Sequence, residues 1–446
     1  MKPSPSNRIK WWTDARFGMF VHWSVYSATE LDCWTMHDAG WPIAEYMERF
    51  EPRFTAARYD PDDWMRVAKS AGCRYVVLGA RHHDGYCLWD TDTSELNSVR
   101  MTPKRDLIAE FIRAARKANL RVGLYYSLLD WRYKAYWLGP RRDPKGWARL
   151  VAQVHAQVRE LVTRYGKLDI LWYDGAWQDQ CGNWGFQPTS ADLAKAWRSR
   201  ELNAMVRQFQ PQILINNRAE LLEDFGTPEQ SMDLVMHTMR GQSKRQWELC
   251  DTLGDLWAYA PIDRNRKTAR SVVFRLITCV SRGGNMLLNI GPKPDGSILP
   301  WQRQMMKQIG DWVHRHGEAI YGCGGEFNRP FITGLAPWRV TGKKNTLYLN
   351  LLRYPGNRPF RIATTHPYMI QSAVLLDTNR PLKIRRAPTY DELIGLPARA
   401  PDPIAPVVRL EVRPATKFEL RRRELIGLEN PDCMTAGIPQ SSEPRP

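Results

Sequence analysis

The chain has 446 residues, of which 43% are hydrophobic, and this length is sufficient for one large domain and a smaller second one. It contains no apolar run of about 18 residues or more, so no membrane span is predicted. The net charge of +17 is spread along the chain without a basic helix or a recognisable nucleic-acid module, which argues against a nucleic-acid partner.

Over the first three quarters of the chain, short apolar runs alternate with amphipathic stretches. The apolar runs predict buried strands at 17–23, 74–80, 121–127, 168–174, 213–217 and 285–291. The amphipathic stretches predict helices at 61–72, 105–119, 148–166, 191–210, 268–283 and 301–317. Apolar strands that alternate with helices predict a parallel sheet covered by helices, and this length favours an α/β fold of the (β/α)8-type barrel class.

A complete barrel needs two more strands between the fifth apolar run and the last. The stretch 219–262 is poorly patterned, and its best candidates are 233–239 and 256–260. We therefore predict a barrel that is irregular in this part.

After about residue 325 the pattern changes to short strands separated by Pro, Gly and Asn. These strands are predicted at 338–354, 360–364, 369–378, 382–387 and 407–413. They predict a small antiparallel β-sandwich. The predicted domains are a barrel over 1–325 and a sandwich over 326–424, followed by a disordered Pro- and Ser-rich tail over 425–446.

Polar and aromatic side chains occur where the predicted barrel strands end. The active site of such a barrel lies at the carboxyl ends of its strands, so these side chains should converge on one rim. They are His22, Arg81, His82, His83, Asp84, Tyr125, Tyr126, Trp172, Asp174, Asn216, Asn217 and Arg218.

Asp174 ends the apolar run LDILWYD and is preceded by Trp172 and Tyr173. A glycosidase needs an ionised carboxylate near the anomeric carbon and an aromatic surface that holds the sugar ring. The pattern fits that chemistry. It equally fits an Asp that caps the start of a following helix, and spacing alone does not choose between them.

His82 and His83 are adjacent just beyond a predicted strand, where both can reach a pocket. Neutral imidazole both donates and accepts hydrogen bonds, which suits sugar hydroxyls. The residues themselves leave sugar binding, metal binding and a structural role open, although HHD lacks the helical spacing of known zinc motifs.

Six segments together resemble the α-L-fucosidases of glycoside hydrolase family 29. They are FGMFVHWSVYS, YVVLGARHHDGYCLWDTDTSELNSV, GLYYSLLDWR, LDILWYDG, TPEQ and GGNMLLNIGPKPDGSI. The resemblance covers residues 10–322 in the same order and, more weakly, the C-terminal sandwich. It implies a retaining double displacement in which Asp174 is the nucleophile.

The resemblance also implies residues that contact fucose. They are His22, Glu45, His82, His83, Tyr126 (or Tyr125), Trp172 and Arg218. Glu45 lies in AEYM where the family more often reads E-W-Y, and Arg81 stands where the family often has Lys.

For the acid/base, the resemblance favours Glu229 in FGTPEQ over Glu248 in QWELC. A loop Glu over an apolar sugar face can stay protonated and act as the acid. The alternative for Glu248 is a structural ion pair, for example with Arg245.

The function expected is an exo-acting α-L-fucosidase that hydrolyses fucosylated oligosaccharides or glycoconjugates without a cofactor or metal. The alternatives are a hydrolase for a similar sugar such as L-galactose, a weakly catalytic carbohydrate-binding protein, and a metal-dependent hydrolase that uses the histidines. No signal-peptide pattern is present, which predicts a cytoplasmic protein, or a periplasmic or secreted one if a leader was removed. The eight cysteines include no CxxC pair and are expected to be free thiols.

Overall fold

The computed structural model describes residues 5–179, 181–231, 246–325, 338–363, 368–387, 390–417 and 419. The chain divides into two compact units, Met1–Cys279 with Gly283–His314 and Val280–Arg282 with Arg315–Pro446. The strand predicted at 233–239 and the tail predicted at 425–446 lie outside the described residues.

The first unit alternates strands with helices, as predicted. Its strands are β1 (Phe17–Val21), β2 (Tyr75–Arg81), β3 (Arg121–Ser127), β4 (Ile170–Asp174), β5 (Leu214–Ile215), β6 (Glu248–Thr252) and β7 (Asn285–Ile290). Its helices are α1 (Pro5–Ala15), α2 (Thr35–Asp38), α3 (Ile43–Phe50), α4 (Pro61–Ser70), α5 (Leu107–Lys117), α6 (Lys134–Arg142), α7 (Pro144–Arg164), α8 (Ser190–Ala196), α9 (Ser199–Phe209), α10 (Ala269–Ser281) and α11 (Pro300–His316).

The seven strands described in this unit are parallel and hydrogen-bonded in the order β5-β4-β3-β2-β1-β7-β6. Nearly every strand residue is buried, because the sheet is covered on both of its faces. This curled sheet confirms the barrel-like α/β fold that the sequence predicts.

A short irregular segment, 225–230, lies between β5 and β6, the two edge strands of this sheet. Phe225 bridges Asn216 just after β5, and Glu229 bridges Cys250 of β6 in the same parallel sense. The amide of Gln230 donates to the carbonyl oxygen of Cys250 at 2.9 Å. The segment therefore stands where a regular barrel would have another strand, and it carries Glu229 to the rim.

The strand predicted at 256–260 is wrong, and β6 lies earlier, at Glu248–Thr252. Residues 256–260 form a loop in which the amides of Trp257 and Ala258 donate to the Asp32 carboxylate at 3.2 and 3.0 Å. The pattern concealed β6 because two of its five residues are acidic. Both are fully buried and are satisfied by partners that are distant in sequence.

Helix starts in the first unit follow local capping chemistry. The side chains of Asp60, Asp106 and Asp143 accept the amide of the third helical residue of α4, α5 and α7. The helix predicted at 191–210 is divided into α8 and α9 because Arg198 is left-handed, with φ 53°. None of the described helices combines the length and the apolar content that crossing a membrane requires.

The second unit contains seven antiparallel strands. They are β8 (Trp338–Lys343), β9 (Thr346–Leu351), β10 (Phe360–Ala363), β11 (Tyr368–Leu375), β12 (Arg380–Arg386), β13 (Tyr390–Ile394) and β14 (Val407–Pro414). They form one sheet in which neighbouring strands are hydrogen-bonded in the order β10-β13-β12-β11-β14-β9-β8. Trp338 and Phe360 come from opposite ends of that order, yet their ring centroids are 5.1 Å apart. The sheet therefore folds back on itself around one apolar core, as in a sandwich.

The junction of the two units falls at residue 314/315, inside α11, rather than at residue 325. The last turn of α11 bonds within the second unit, since His316 Nε2 lies 2.8 Å from Asp377 Oδ1 and Arg315 Nη2 donates to Asp402 Oδ2 at 2.5 Å. Seven free cysteines are described, and six of them are buried.

Candidate active site

Asp174 is the last residue of β4, and its carboxylate is held at the carboxyl end of the barrel. Tyr125 OH donates to Oδ2 at 2.9 Å, and Arg218 Nη1 donates to Oδ1 at 2.9 Å. His83 Nε2 lies 3.9 Å from Oδ2. The side chain is 10% exposed, so it faces the cleft of the histidines rather than solvent at large.

The neighbours of Asp174 favour its ionised form. Burial acts to raise its pKa, but Arg218, His83 and the Tyr125 hydroxyl outweigh this and hold the pKa below its ordinary value. The helix-cap interpretation is wrong, because the next helix, α8, is capped by Thr189. An ionised carboxylate held in a cleft is what a nucleophile requires.

Gly175 allows the chain to turn away directly after Asp174. Its φ is +74°, and a Cβ there would lie 2.9 Å from both Leu129 Cγ and Ser127 Oγ. A side chain at this position would therefore displace the loop that follows β3 and shift the carboxylate beside it.

The structure brings His22, His82 and His83 together in this cleft. His82 lies 4.0 Å from His83 and 5.7 Å from His22 between ring centroids. Burial lowers the pKa of each ring, for His83 to about 4, so all three are neutral near pH 7. Neutral rings can both donate to and accept from sugar hydroxyls.

The Nδ1 atoms of two of these rings are hydrogen-bonded to neighbouring side chains. His83 Nδ1 bonds to Ser127 Oγ at 2.7 Å, and His22 Nδ1 bonds to Asn289 Oδ1 at 2.7 Å. His82 Nδ1 is buried and has no hydrogen-bond partner in the described part of the chain. These contacts fix the orientation of the His22 and His83 rings, while His82 retains a buried nitrogen that a ligand hydroxyl could satisfy.

Of the two tyrosines named as sugar contacts, Tyr125 faces the cleft and Tyr126 points away from it, so the structure favours the alternative, Tyr125; the sugar contact itself stays a prediction. Successive residues of a strand point to opposite faces. Tyr125 stacks on His82 at 5.4 Å and reaches Asp174. Tyr126 points to the other face, where its OH donates to Gln157 Oε1 of α7 at 2.7 Å and accepts from Arg81.

This correction predicts different outcomes for two matched variants. Tyr125→Phe removes a hydrogen bond to a charged carboxylate, so kcat should fall about ten- to a hundredfold. Tyr126→Phe should retain kcat and lose about 2 kcal/mol of stability, because it breaks the buried contacts with Gln157 and Arg81 on the face turned away from the cleft. Steady-state kinetics and denaturant unfolding of both variants test this. Equal loss of kcat in the two would contradict it.

Trp172 and Arg218 line one side of the cleft. The guanidinium lies 4.7 Å from the Trp172 ring centroid, and Trp172 stacks on Tyr125 at 5.7 Å. Arg218 Nε donates to Thr227 Oγ1 at 2.9 Å, which orients the planar group. Both predicted residues therefore lie beside Asp174.

Glu229 is joined to Asp174 through Arg218. Nη2 of Arg218 donates to Glu229 Oε2 at 2.6 Å while Nη1 binds Asp174. The Glu229 side chain is 42% exposed, so the cleft is open on this side. One guanidinium thus holds the two carboxylates that the sequence predicts as the catalytic pair.

Glu248 lies in the barrel interior and not at the rim. It is fully buried, and its carboxylate accepts from Trp172 Nε1 at 3.2 Å, from Trp12 Nε1 at 3.3 Å and from Tyr75 OH. This placement removes it as a rival acid/base and gives it a structural role beneath Trp172. Arg245, its suggested partner, is outside the described residues.

The buried Glu248 predicts a pH-dependent stability. Burial raises its pKa from 4.5 to about 7, against hydrogen bonds from Tyr75, Trp172 and Trp12. Between these values the folded chain keeps a proton that the unfolded chain releases, so the free energy of unfolding falls as pH rises. Glu248→Gln cannot ionise and should flatten this slope in denaturant unfolding. Tyr75→Phe, which keeps the carboxyl, should retain it, and equal slopes in Glu248→Gln and the unaltered chain would contradict the assignment.

Glu45 is exposed in the first turn of α3. Its neighbour Tyr46 approaches Asp84 of the HHDG loop, with the hydroxyl 3.5 Å from Oδ2. No described hydrogen bond joins Glu45 to the other site residues, and its contact with the sugar stays a prediction.

Sequence reasoning missed Asn289 and Trp257. Asn289 holds His22 and donates to the Trp257 carbonyl oxygen at 2.6 Å, and the Trp257 ring lies 4.9 Å from His22. The signal that could have found Asn289 is its place near the carboxyl end of β7, since the predicted strand 285–291 ends at the same rim. Trp257 lies in the stretch 256–260, for which the sequence pattern predicts a strand and not a loop at the site.

Comparison with known proteins gives consistent matches over most of the chain. A family model described as Alpha-L-fucosidase matches residues 3–318. The tissue alpha-L-fucosidase of Mus musculus is 29% identical, over 91% of this chain and 90% of that protein. The tissue alpha-L-fucosidase of Bos taurus is 31% identical, over 76% of this chain and 71% of that protein. The structure of alpha-L-fucosidase isoenzyme 1 from Paenibacillus thiaminolyticus aligns with a TM-score of 0.78 at 31% identity, over 92% of this chain and 100% of that one.

Proposed function

The chain belongs to the α-L-fucosidase family, glycoside hydrolase family 29, and on that premise we propose that it is a retaining exo-α-L-fucosidase. The substrate proposed is a terminal α-linked L-fucose on an oligosaccharide or glycoconjugate. The observation that carries the proposal is the Arg218 guanidinium, which binds Asp174 and Glu229 at once and so places two carboxylates on one cleft.

In the first step, Asp174 Oδ attacks the anomeric carbon of fucose. The bond from that carbon to the glycosidic oxygen breaks, and Glu229 gives its proton to the departing oxygen. The products are a fucosyl ester on Asp174 and a free aglycone alcohol. The ionised state of Asp174, favoured by Arg218, makes it the nucleophile of the pair.

In the second step, Glu229 takes a proton from water as the water oxygen attacks the same carbon. The ester bond to Asp174 breaks, and fucose leaves with its original anomeric configuration. Glu229 must carry a proton before the first step, so its ion pair with Arg218 has to open as substrate enters. Catalytic contacts of this kind commonly rearrange in the substrate complex.

The neutral histidines suit the recognition of the sugar. His82 Nδ1 is a buried polar atom without a partner among the described residues, and such an atom is costly unless a ligand hydroxyl satisfies it. Trp172, Tyr125 and Trp257 add aromatic surface to the same cleft. A sugar with both hydroxyls and an apolar methyl group fits this mixture of polar and aromatic groups.

Proton NMR of the hydrolysis of an aryl α-L-fucoside tests the proposal. We expect α-L-fucose to appear first and its anomer to follow only by mutarotation. Initial release of the inverted anomer would overturn the retaining mechanism. Faster hydrolysis of an aryl L-galactoside would overturn the choice of sugar, binding of fucose without turnover would indicate a carbohydrate-binding protein, and loss of activity in chelator would indicate a metal-dependent hydrolase.

A further inference from the structure

A group of aromatic side chains packs around His83. We call it the aromatic wall, and it consists of Trp34, His37, Trp131, Trp137 and Trp177. Three of its rings contact His83 directly, with centroid distances of 5.1 Å for Trp131, 5.3 Å for Trp34 and 5.6 Å for Trp177.

The rings of the wall are arranged in two nearly parallel pairs. Trp34 and Trp177 are 6.5 Å apart with 12° between their planes, and His37 and Trp137 are 5.8 Å apart with 13°. Trp131 joins the pairs, since it lies 5.4 Å from both Trp34 and His37. The wall is thus one continuous surface and not a set of separate contacts.

The wall differs from the aromatic core of the barrel in its exposure. Trp34, Trp137 and Trp177 are partly exposed, whereas Trp172 is only 1% exposed. Trp34 lies directly before the short helix α2, Trp131 and Trp177 lie in the loops after β3 and β4, and Trp137 lies in α6. Large aromatic side chains left partly exposed around a cleft are available to stack on a ligand.

The centre of the wall is rigidly placed and has an unused donor. The amide of Trp131 donates to the His83 carbonyl oxygen at 2.9 Å, and the preceding Asp130 is held by Arg81 at 3.0 Å and by Arg132 at 2.6 Å. Trp131 is only 4% exposed, and its indole Nε1 has no hydrogen-bond partner within the described ranges. A buried donor of this kind is costly unless a ligand acceptor satisfies it.

We propose that the aromatic wall binds the sugar ring attached to fucose, a pyranose of an oligosaccharide. This proposal rests on the proposed function. His83 contacts three rings of the wall and its Nε2 lies 3.9 Å from Asp174 Oδ2, so a pyranose on the wall would lie next to the fucose that Asp174 attacks. Flat indole faces stack on the C–H faces of a pyranose, and the Trp131 N–H can donate to a ring hydroxyl.

The proposal assigns substrate selection to Trp34 and Trp177. These residues should raise kcat/KM when the leaving group is a sugar and should not affect it when the leaving group has no ring. α-L-Fucosyl fluoride is the ringless reference. The test substrate is the disaccharide that the unaltered chain cleaves fastest in a panel of fucosyl-hexoses and fucosyl-N-acetylhexosamines.

The measurement is the ratio of kcat/KM for the disaccharide to kcat/KM for the fluoride. We expect Trp177→Ala and Trp34→Ala to lower this ratio about tenfold or more, and Trp177→Phe to restore most of it because a flat ring remains. Trp41→Ala is the matched control, since Trp41 packs on Phe50 at 5.6 Å outside the wall and should leave the ratio unchanged.

Each outcome decides the question. An unchanged ratio in Trp177→Ala and Trp34→Ala overturns the proposal, and so does an equal loss on both substrates, which would place these residues in fucose binding or folding. A loss that occurs with aryl fucosides but not with any disaccharide would assign the wall to aryl groups instead. If the unaltered chain hydrolyses neither substrate, the proposed function itself fails, and the wall assignment fails with it.

Discussion

Asp174→Asn is expected to lower kcat/KM for fucosides by at least about a thousandfold, which corresponds to about 4 kcal/mol of lost transition-state stabilisation. The amide is nearly the same size as the carboxylate and can still meet Arg218 and Tyr125, so the cleft should keep its shape. It cannot form the ester with the anomeric carbon. The loss therefore reports on chemistry, and binding of fucose should persist.

A second substitution at this position gives a more specific signature. Asp174→Ala opens room for a small anion, and added azide should then attack the sugar from the vacated side. The product expected is a fucosyl azide of inverted configuration, which NMR identifies. A retained product, or full turnover without azide, would assign the nucleophile to another residue.

Asp169→Asn is the matched control for Asp174. Asp169 directly precedes β4 at the opposite end of the barrel, where it pairs with Arg121 at 2.9 Å and accepts the Val122 amide at 3.1 Å. It is buried like Asp174 but far from the carboxyl rim. Its substitution should reduce stability and leave turnover intact. Loss of turnover in both variants would indicate a general effect on folding.

The position of Asp174 could be predicted from the sequence for a simple physical reason. Parallel strands covered by helices show as continuous apolar runs, and their carboxyl ends meet at one rim. His22, His82, His83 and Asp174 each directly follow or end such a run, and the structure brings them together. Local pattern and global topology carry the same information at these positions.

Other features depend on contacts that no local pattern contains. The alternation of β3 shows that Tyr125 and Tyr126 face opposite ways, but only the curvature of the sheet decides which of them faces the cleft. β6 was missed because Glu248 looks exposed until Tyr75 and Trp172 are brought to it from distant strands. The apolar residues at 256–260 predict a strand, whereas the loop found there is held by hydrogen bonds to Asp32, which no local pattern contains.

Glu229→Gln is expected to slow the hydrolysis of oligosaccharides by about a hundred- to ten-thousandfold. The glycosidic oxygen of a sugar aglycone is a poor leaving group and needs the proton that Glu229 supplies. Fluoride can leave without that proton, and so can the phenolate of an acidic phenol. The first step with those substrates should therefore be far less affected than the first step with a disaccharide.

The remaining slow step then reveals the role of Glu229. Without a base, water attacks the fucosyl ester slowly, so Glu229→Gln should show a rapid burst of phenol followed by slow turnover. Azide needs no base and should accelerate that turnover in Glu229→Ala, giving a fucosyl azide of retained configuration, the opposite of the Asp174→Ala product. Glu248→Gln is the matched control, because its carboxylate is enclosed by Tyr75 and Trp172 and should show neither burst nor azide acceleration. The same loss on every substrate in Glu229→Gln, without a burst, would mean that Glu229 only orients Arg218.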